Sequence, residues 1–380
     1  MQCDYFDAGR CRSCTLMGTP YAGQLAAKQQ RAASSLAGLA PRLQWLDPAR
    51  SAESHYRNKA KLVVGGRAGR PTLGILDERG RGVDLRRCGL YEPGLAATFD
   101  VLHRFVAELG LEPYDVPARR GELKYLIVTH SPAGEHLVRF VLRSERHLAD
   151  LRAALPGLLT ALPSARVVTA NLHPEHKAVL EGETEVPLTQ QTLLPMRVGD
   201  ATLMAGPRSF VQTNTVVAGA LYRQARDWVD AAEPAVVWDL YCGVGGFALH
   251  AAAPGRTVLG VETSADAVDA ARAAAHAVVD AGGPASAQPP TFVVGDATSA
   301  VLSPAPDLVV VNPPRRGIGP DLAAWLDASP AADLLYSSCN VDSLARDLSA
   351  MPSLSPVVAR VFDMFPQTPH TEVLVRLERR

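Results

Sequence analysis

Cys339 and Glu372 are the two residues whose types and positions could carry out covalent chemistry. Cys339 lies in Tyr336-Ser-Ser-Cys-Asn340, directly after an apolar run that predicts a strand. A thiolate can add to an electron-poor carbon, and a carboxylate can then remove the proton whose loss lets the thiol depart. Glu372 begins the last predicted strand and is the candidate base, while Asn340 or Arg315 could lower the pKa of the thiol. A lone cysteine after a strand is more often a packed apolar side chain, so this interpretation depends on its neighbours.

A glycine-rich turn predicts a binding site for a cofactor, the second component that this chemistry needs. It lies in Asp239-Leu-Tyr-Cys-Gly-Val-Gly-Gly-Phe247, where a predicted strand passes into a helix. Glu262 ends the next strand 19 positions after Gly243, about where a carboxylate reaches ribose hydroxyls in dinucleotide-binding folds. The turn lacks a lysine and begins with an acidic residue, which disfavours a pyrophosphate and suits the cationic groups of S-adenosylmethionine. Asp296 ends the third strand and could meet an adenine, whereas Cys242 is interpreted as a packing residue.

The segment Asn312-Pro-Pro-Arg-Arg-Gly317 follows the fourth strand and indicates which atom is methylated. Methyltransferases that act on amino groups usually place an aromatic residue after the second proline, to stack on the target base. Arg315 occupies that place, which argues against methylation of adenine or cytosine nitrogens. Carbon 5 of uracil instead needs a thiolate on carbon 6 and a base for the carbon 5 proton, which Cys339 and Glu372 could supply.

Four of the six cysteines form a separate candidate set near the N-terminus: Cys3, Cys11, Cys14 and Cys88. Four thiolates suit either Zn²⁺ or a [4Fe–4S] cluster. The spacing leaves both open, because the distant fourth cysteine is unlike the two close pairs of a compact zinc ribbon.

Composition excludes several classes of protein. The chain has 380 residues, 47% of them hydrophobic and 20% charged, which is typical of a globular protein. No apolar run is long enough for a membrane span and no signal peptide is visible, so we expect a cytosolic protein without membrane contact. Residues 1–150 hold 22 Lys and Arg against 16 Asp and Glu, while the remainder is acidic. This asymmetry suits an RNA-binding part attached to a catalytic part, although a solvated basic face is equally compatible with it.

The predicted elements divide the chain into three parts. Residues 1–90 would form a four-cysteine cluster and a basic RNA-contacting segment, and residues 91–205 a small α+β domain. Residues 206–380 alternate strands with helices, which predicts an α/β, Rossmann-like methyltransferase domain with a parallel, doubly wound sheet. The segment Ala281–Pro290 is expected to be a loop, and the last two strands could form an antiparallel hairpin at the sheet edge.

Together these segments resemble the RNA uracil-C5 methyltransferase family over essentially the whole chain, and within it the branch that acts on 23S ribosomal RNA. The matching segments, in order, are Met1-Gln-Cys3, Asp7-Ala-Gly-Arg-Cys11-Arg-Ser-Cys14, Tyr56-Arg-Asn-Lys-Ala-Lys61, Phe210-Val-Gln212, Asp239–Gly246, Val311–Gly317, Tyr336–Asn340, and Phe365-Pro with His370-Thr-Glu372.

This resemblance implies a class I methyltransferase domain preceded by an iron–sulfur segment, with 23S rRNA as substrate and a monomeric enzyme. The four cysteines Cys3, Cys11, Cys14 and Cys88 would hold a [4Fe–4S] cluster. Contacts to S-adenosylmethionine would come from Gln212, Tyr241, Glu262 and Asn312. Cys339 would be the nucleophile and Glu372 the base.

Two departures and two alternatives accompany the resemblance. Many family members have Asp where this chain has Asn312, so the charge that would assist contact with the methyl donor is lost there. Many members also have Phe where this chain has Tyr241. Cys3 is almost the first residue, which leaves no room for the β-barrel RNA domain of another 23S branch, and the tRNA branch lacks the four cysteines. The alternatives are a tRNA substrate, or a non-catalytic iron–sulfur RNA-binding protein on a degenerate methyltransferase fold.

Overall fold

The computed structural model describes residues 1–177, 179–280, 288–298 and 303–380. The predicted loop Ala281–Pro290 therefore lies mostly outside the described residues. Within the described ranges, no helix is both long and apolar enough to cross a membrane. The chain forms two compact units, one made of Met1–Cys14 with Glu53–Met196, the other of Thr15–Ala52 with Arg197–Arg380.

The secondary structure of both units is listed here in chain order. The helices are α1 (Asp4–Asp7), α2 (Tyr21–Leu36), α3 (Pro93–Ala96), α4 (Thr98–Glu108), α5 (Leu148–Ala161), α6 (Thr215–Ala232), α7 (Gly246–Ala251), α8 (Ala265–Asp280), α9 (Gly319–Ala328) and α10 (Val341–Ser349), with a 3₁₀ turn at Glu145–His147. The strands are β1 (Gln44–Trp45), β2 (Lys59–Arg67), β3 (Arg70–Leu76), β4 (Gly82–Asp84), β5 (Leu123–His130), β6 (His136–Leu142), β7 (Ala165–Leu172), β8 (Thr184–Pro187), β9 (Leu194–Val198), β10 (Ala201–Ala205), β11 (Val236–Leu240), β12 (Thr257–Glu262), β13 (Thr291–Val294), β14 (Leu308–Val311), β15 (Asp333–Ser338), β16 (Leu354–Phe362) and β17 (Glu372–Arg379).

The first unit is built on one seven-stranded sheet in the order β4-β3-β2-β5-β6-β7-β8. Alternate residues such as Leu62, Leu126 and Phe140 face one side, where they pack with Leu95 and Phe99 of the helices α3 and α4. The sheet contains strands from both sides of residue 90. The units therefore differ from the predicted division at residues 90 and 205, because a sheet cannot be divided between its own hydrogen-bonded strands.

The second unit contains an eight-stranded sheet in the order β1-β16-β17-β15-β14-β11-β12-β13. The strands β11 to β15 run parallel to one another, while β17 is antiparallel to both β15 and β16. This is the Rossmann-like α/β arrangement that the alternation of strands and helices predicts. The antiparallel pairing of the last two strands also matches the prediction, but β17 lies inside the sheet and not at its edge.

Residues 15–52 contribute the helix and the edge strand that the sequence analysis missed. The strand β1 pairs in parallel with β16, with Gln44 opposite Val358. The helix α2 buries Ala32 and Leu36 in the same apolar cluster as strand residues of the second unit. The segment was assigned to the N-terminal RNA-contacting part because a two-residue strand leaves no periodic signal.

Candidate functional site

The glycine-rich turn follows β11, and the structure ties it to Glu262. The backbone is left-handed at Gly243 and Gly245, with φ of 54° and 84°, which glycine adopts without strain. The Gly243 amide donates to Oε2 of Glu262 at 3.2 Å, and the Ser264 amide donates to Oε1 at 2.9 Å. A Cβ added to Gly243 would meet no described atom within 4 Å. The turn therefore borders open space beside a fixed carboxylate, as a ribose-bearing ligand would need.

Parallel pairing brings three of the four predicted cofactor residues to one sheet edge. Leu240 lies opposite both Val261 and Val311 in the register of the neighbouring strands. Tyr241, Glu262 and Asn312 each come one residue later, so they lie side by side at the carboxyl edge, where ligands bind in open α/β sheets. This edge is the arrangement expected for a cofactor site.

Gln212, the fourth predicted cofactor residue, lies in the loop that leads into α6. Its side chain is buried. The helix α6 packs against α7 through Tyr222 and Phe247, whose rings meet edge to face at 4.9 Å between centroids. Gln212 thus belongs to a segment anchored next to the helix that follows the glycine turn.

The side chain of Asp239 does not take the role that the sequence predicts for it in the cofactor site. The sequence suggested an acidic entrance to the turn, but the Asp239 side chain is fully buried and its Oδ2 accepts from the Ala248 amide at 2.9 Å. Burial raises the pKa of this carboxyl to about 7. Asp239 therefore supports the first turn of α7, and its charge does not face incoming ligands.

Cys339 and Glu372 lie beside each other across two antiparallel strands. The register places Ser338 opposite Val373 and Ser337 opposite Leu374. Cys339 is one residue beyond the first pair and Glu372 one residue before it, so the two residues meet at the end of the ladder. The charge of Glu372 also acts on the thiol of Cys339. A thiol and a carboxyl group are thereby brought to the same edge as the glycine turn.

Burial raises the pKa values of both Glu372 and Cys339. Burial raises the pKa of Glu372 to about 7, although Ser337 Oγ donates to its Oε1 at 2.5 Å and opposes the shift. Burial, followed by the charge of Glu372, also raises the pKa of Cys339, while the Arg315 guanidinium opposes it. The site thus holds a carboxyl that titrates near neutrality beside a half-buried thiol.

Arg315 is held in place from two sides. Its guanidinium donates to His370 Nδ1 at 3.0 Å, and its carbonyl accepts from Asn340 Nδ2 at 3.1 Å. Buried Asp347 accepts from the Ile318 amide at 2.9 Å, fixing the segment that follows. Asn340, suggested as a group that lowers the thiol pKa, instead caps α10 and binds the Arg315 backbone.

Ser337 and Asp347 are residues that the sequence analysis missed. Ser337 is a fully buried hydroxyl in a strand, and Asp347 is a buried carboxylate that also accepts from the Tyr336 hydroxyl at 2.7 Å. Asp347 lies on α10 among apolar residues at helical spacing, and a carboxylate on the buried face of an amphipathic helix is the one signal that could have revealed it.

The four N-terminal cysteines all belong to the first unit and are free thiols. Cys3 precedes α1, and the Tyr5 hydroxyl of that helix accepts from the amide of Arg87, next to Cys88. Burial, then the charges of Cys88, Cys11 and Cys3, raises the pKa of Cys14 to about 11, so the thiols interact with one another. Among the described residues, however, no group of three or more His, Cys, Asp or Glu side chains is arranged to hold a metal ion.

The fold of the second unit and its glycine turn define a class I methyltransferase. A solved structure with the same fold is the Pyrococcus abyssi tRNA (uracil-54, C5)-methyltransferase in complex with S-adenosyl-L-homocysteine. It matches with a TM-score of 0.79 at 23% identity, covering 97% of this chain and 84% of that one.

Sequence relatives specify the family. The chain is 47% identical over 383 aligned residues, and over the full length of both proteins, to the 23S rRNA (uracil(747)-C(5))-methyltransferase RlmC of Yersinia pseudotuberculosis. RlmC of Yersinia pestis is 46% identical over the same extent. The family model described as tRNA (Uracil-5-)-methyltransferase matches residues 303–380. The chain belongs to the RNA uracil-C5 methyltransferase family and is an S-adenosylmethionine-dependent enzyme, which confirms the resemblance drawn from its motifs.

Proposed function

We propose that this enzyme methylates carbon 5 of a uridine in 23S rRNA, with Cys339 as nucleophile and Glu372 as base. The observation that carries the chemistry is the placement of Cys339 and Glu372 side by side at the strand ends that border the glycine turn. The rRNA substrate is supported by the full-length identity to the two RlmC proteins.

Each protein group has one task in this reaction. The Cys339 thiolate adds to carbon 6 of the uracil, which turns carbon 5 into a nucleophile. S-adenosylmethionine, when bound, supplies the electrophilic methyl group. The Glu372 carboxylate then takes the proton from carbon 5, the electrons of that bond re-form the carbon 5–carbon 6 double bond, and the thiolate leaves. A base with a pKa near 7 can accept this proton and return it to water at neutral pH.

The test of this proposal is methyl transfer to unmodified 23S rRNA fragments. The enzyme should form 5-methyluridine, Cys339→Ala should form none, and Glu372→Gln should accumulate a covalent methylated enzyme–RNA adduct. Glu378→Gln is a matched control, since Glu378 is an exposed carboxylate on the same strand. Product formation by Cys339→Ala at the wild-type rate would contradict the mechanism.

For the methyl donor, we propose contacts from Gln212, Tyr241, Glu262 and Asn312. The residues fit this ligand because the Gly243 turn borders open space and Glu262 is fixed there by backbone amides. Glu262→Gln should raise the Kd for S-adenosylmethionine about tenfold or more, as expected for loss of a charged hydrogen bond. Calorimetric titration measures this, and an unchanged Kd would remove Glu262 from the set.

For the N-terminal unit, we propose that Cys3, Cys11, Cys14 and Cys88 hold a [4Fe–4S] cluster with a structural or RNA-positioning role. The support is the family resemblance together with the mutual influence of the four free thiols. Their side chains are not in a ligand arrangement, so cluster binding requires them to converge. Anaerobically purified protein should contain about four irons and as many sulfides. One zinc without iron would contradict the cluster.

A tRNA substrate is the second candidate, favoured by the tRNA description of the family model over residues 303–380. Mapping of 5-methyluridine by mass spectrometry in a deletion strain decides between them. Loss of the modification from 23S rRNA supports the proposal, and loss from tRNA alone supports the alternative.

A further inference from the structure

A buried ion pair holds the loop that ends in Glu372. This loop, residues 363–371, connects β16 to β17 and begins at Asp363, whose side chain is fully buried. Lys28, on the distant helix α2, donates to Asp363 Oδ1 at 2.6 Å and to the carbonyl of Phe365 at 3.0 Å. Its ammonium is buried as well, with the side chain 3% exposed. The loop is therefore fixed at its start by a residue more than 300 positions earlier.

A pair of glutamines holds the same loop at its middle. Gln24 Nε2 donates to Gln367 Oε1 at 3.0 Å, and the Gln367 amide donates back to Gln24 Oε1 at 2.9 Å. Gln367 has φ of 67°, in the left-handed region that non-glycine residues rarely adopt. Such a conformation persists only where surrounding contacts impose it. We call Gln24, Lys28, Asp363 and Gln367 the helix–loop clamp.

A gain in folding stability does not by itself explain why the helix–loop clamp contains a buried ion pair. Well-packed apolar residues often replace a buried ion pair without loss of stability, because removing two charges from water costs about as much as their attraction returns. Hydrogen bonds differ from apolar packing in being directional, so they fix where a backbone lies.

The held loop ends at the reacting groups. His370, near its end, accepts from Arg315 at 3.0 Å, and Glu372 follows two residues later beside Cys339. A shift of the loop would therefore move Glu372, the proposed base, relative to Cys339. Misplacement by about 1 Å is enough to cost up to a hundredfold in rate.

We propose that Gln24 and Lys28 are positioning residues that hold Glu372 where it can remove the carbon 5 proton. This inference rests on the proposed role of Glu372 as base. The clamp acts on the step after methyl transfer, so its loss should slow the release of RNA more than the formation of the adduct.

The experiment uses two clamp variants that leave no unpaired charge. Lys28→Met combined with Asp363→Leu replaces the ion pair by apolar side chains of similar volume, and Gln24→Leu removes the amide pair. Gln30→Ala is the control, since Gln30 lies exposed on the same helix and its side chain donates to Ser34 of that helix. Methyl-labelled S-adenosylmethionine is used, and labelled enzyme–RNA adduct, kcat, KM for the donor and melting temperature are measured.

The double variant should melt close to wild type, whereas Gln24→Leu should melt lower, because buried Gln24 also donates to the carbonyls of Leu16 and Thr19. In their folded fraction both variants should bind the donor like wild type, lose about tenfold or more in kcat, and accumulate labelled adduct. Wild-type adduct levels in folded clamp variants would overturn the inference, as would an activity loss that only follows the folded fraction. If the double variant does not fold, Gln24→Leu alone decides. Glu372→Gln run in parallel separates the two proposals, because its failure to accumulate adduct would refute the base assignment itself, and the clamp role with it.

Discussion

The Ser337–Glu372 hydrogen bond predicts how the rate of product release depends on pH. In the proposed mechanism Glu372 must be ionised to accept the carbon 5 proton, so in wild type this step should slow as the pH falls below about 7. Ser337 Oγ donates to the carboxylate at 2.5 Å and stabilises its ionised form. Ser337→Ala removes the donor, so the pKa of Glu372 should rise further.

The magnitude follows from the kind of bond that is lost. A hydrogen bond to a charged group contributes about 1.5–3 kcal/mol, which corresponds to roughly one to two pKa units. At pH 7 the ionised fraction of Glu372 would fall about five- to fiftyfold. At pH 9 the variant should come within about twofold of wild type, because half or more of its Glu372 is then ionised.

The assay measures the decay of the methylated adduct separately from its formation. Labelled methylated adduct is formed in a single turnover, the pH is changed by mixing, and its decay is followed by denaturing gel. Ser349→Ala is the control, because Ser349 is an exposed serine whose hydroxyl donates to the Arg346 carbonyl. Equal slowing of Ser337→Ala at every pH would refute the reasoning, since it would mean that Ser337 orients the carboxylate without stabilising its charge.

Three further predictions address stability and the thiol. Because burial raises the pKa of Glu372 from 4.5 to about 7, the folded state binds more protons between these values and loses stability as the pH rises through them. Glu372→Gln should therefore be more stable than wild type at pH 8, by up to about 3 kcal/mol, and nearly equal at pH 4.5; a difference independent of pH in denaturant titrations would contradict this. Arg315→Met should raise the pKa of Cys339 and slow its alkylation at pH 7 by up to about tenfold, measured on the Cys339 peptide by mass spectrometry, whereas faster alkylation would mean that Arg315 shields the thiol. Gly246→Ala would place a Cβ 2.5 Å from the Tyr222 ring and should cost about 1–3 kcal/mol in denaturant unfolding; wild-type stability would show that the ring can move.

The sequence predicts the positions of those site residues that directly follow a strand. Apolar runs ending at Leu240, Val311 and Ser338 predict parallel strands, and parallel strands place whatever follows them at one edge. The predicted neighbourhood of Cys339 and the glycine turn follows from this rule alone. The antiparallel register that brings Glu372 to Cys339 joins β15 to β17, with β16 between them in the chain, so the predicted pairing of the last two strands does not by itself give it.

Contacts between distant parts of the chain leave no such pattern. The edge strand β1 is two residues long, and α2 was grouped with the cysteine segment because the two are adjacent in sequence. Lys28 is one of a few basic residues on an otherwise ordinary amphipathic helix, and only its partner 335 positions later explains its burial. Asp239 was misinterpreted for the opposite reason: its position in the turn is visible in the sequence, but the direction of its side chain is not.

In the proposed mechanism burial has opposite consequences for the base Glu372 and the nucleophile Cys339, and Arg315 opposes the consequence for the thiol. Enclosing Glu372 raises its pKa to about 7 and makes it a stronger base than an ordinary carboxylate. The same enclosure raises the pKa of Cys339 and withdraws the thiolate on which the reaction depends, and the ionised base next to it adds to the effect. A cation that acted equally on both groups would restore the nucleophile and weaken the base. Arg315 is among the groups that shift the pKa of Cys339, and it is not among those that shift Glu372. We therefore expect its anchoring by His370 and Asn340 to matter for the proposed reaction, because a guanidinium that moved toward Glu372 would lower the basicity that the last step requires.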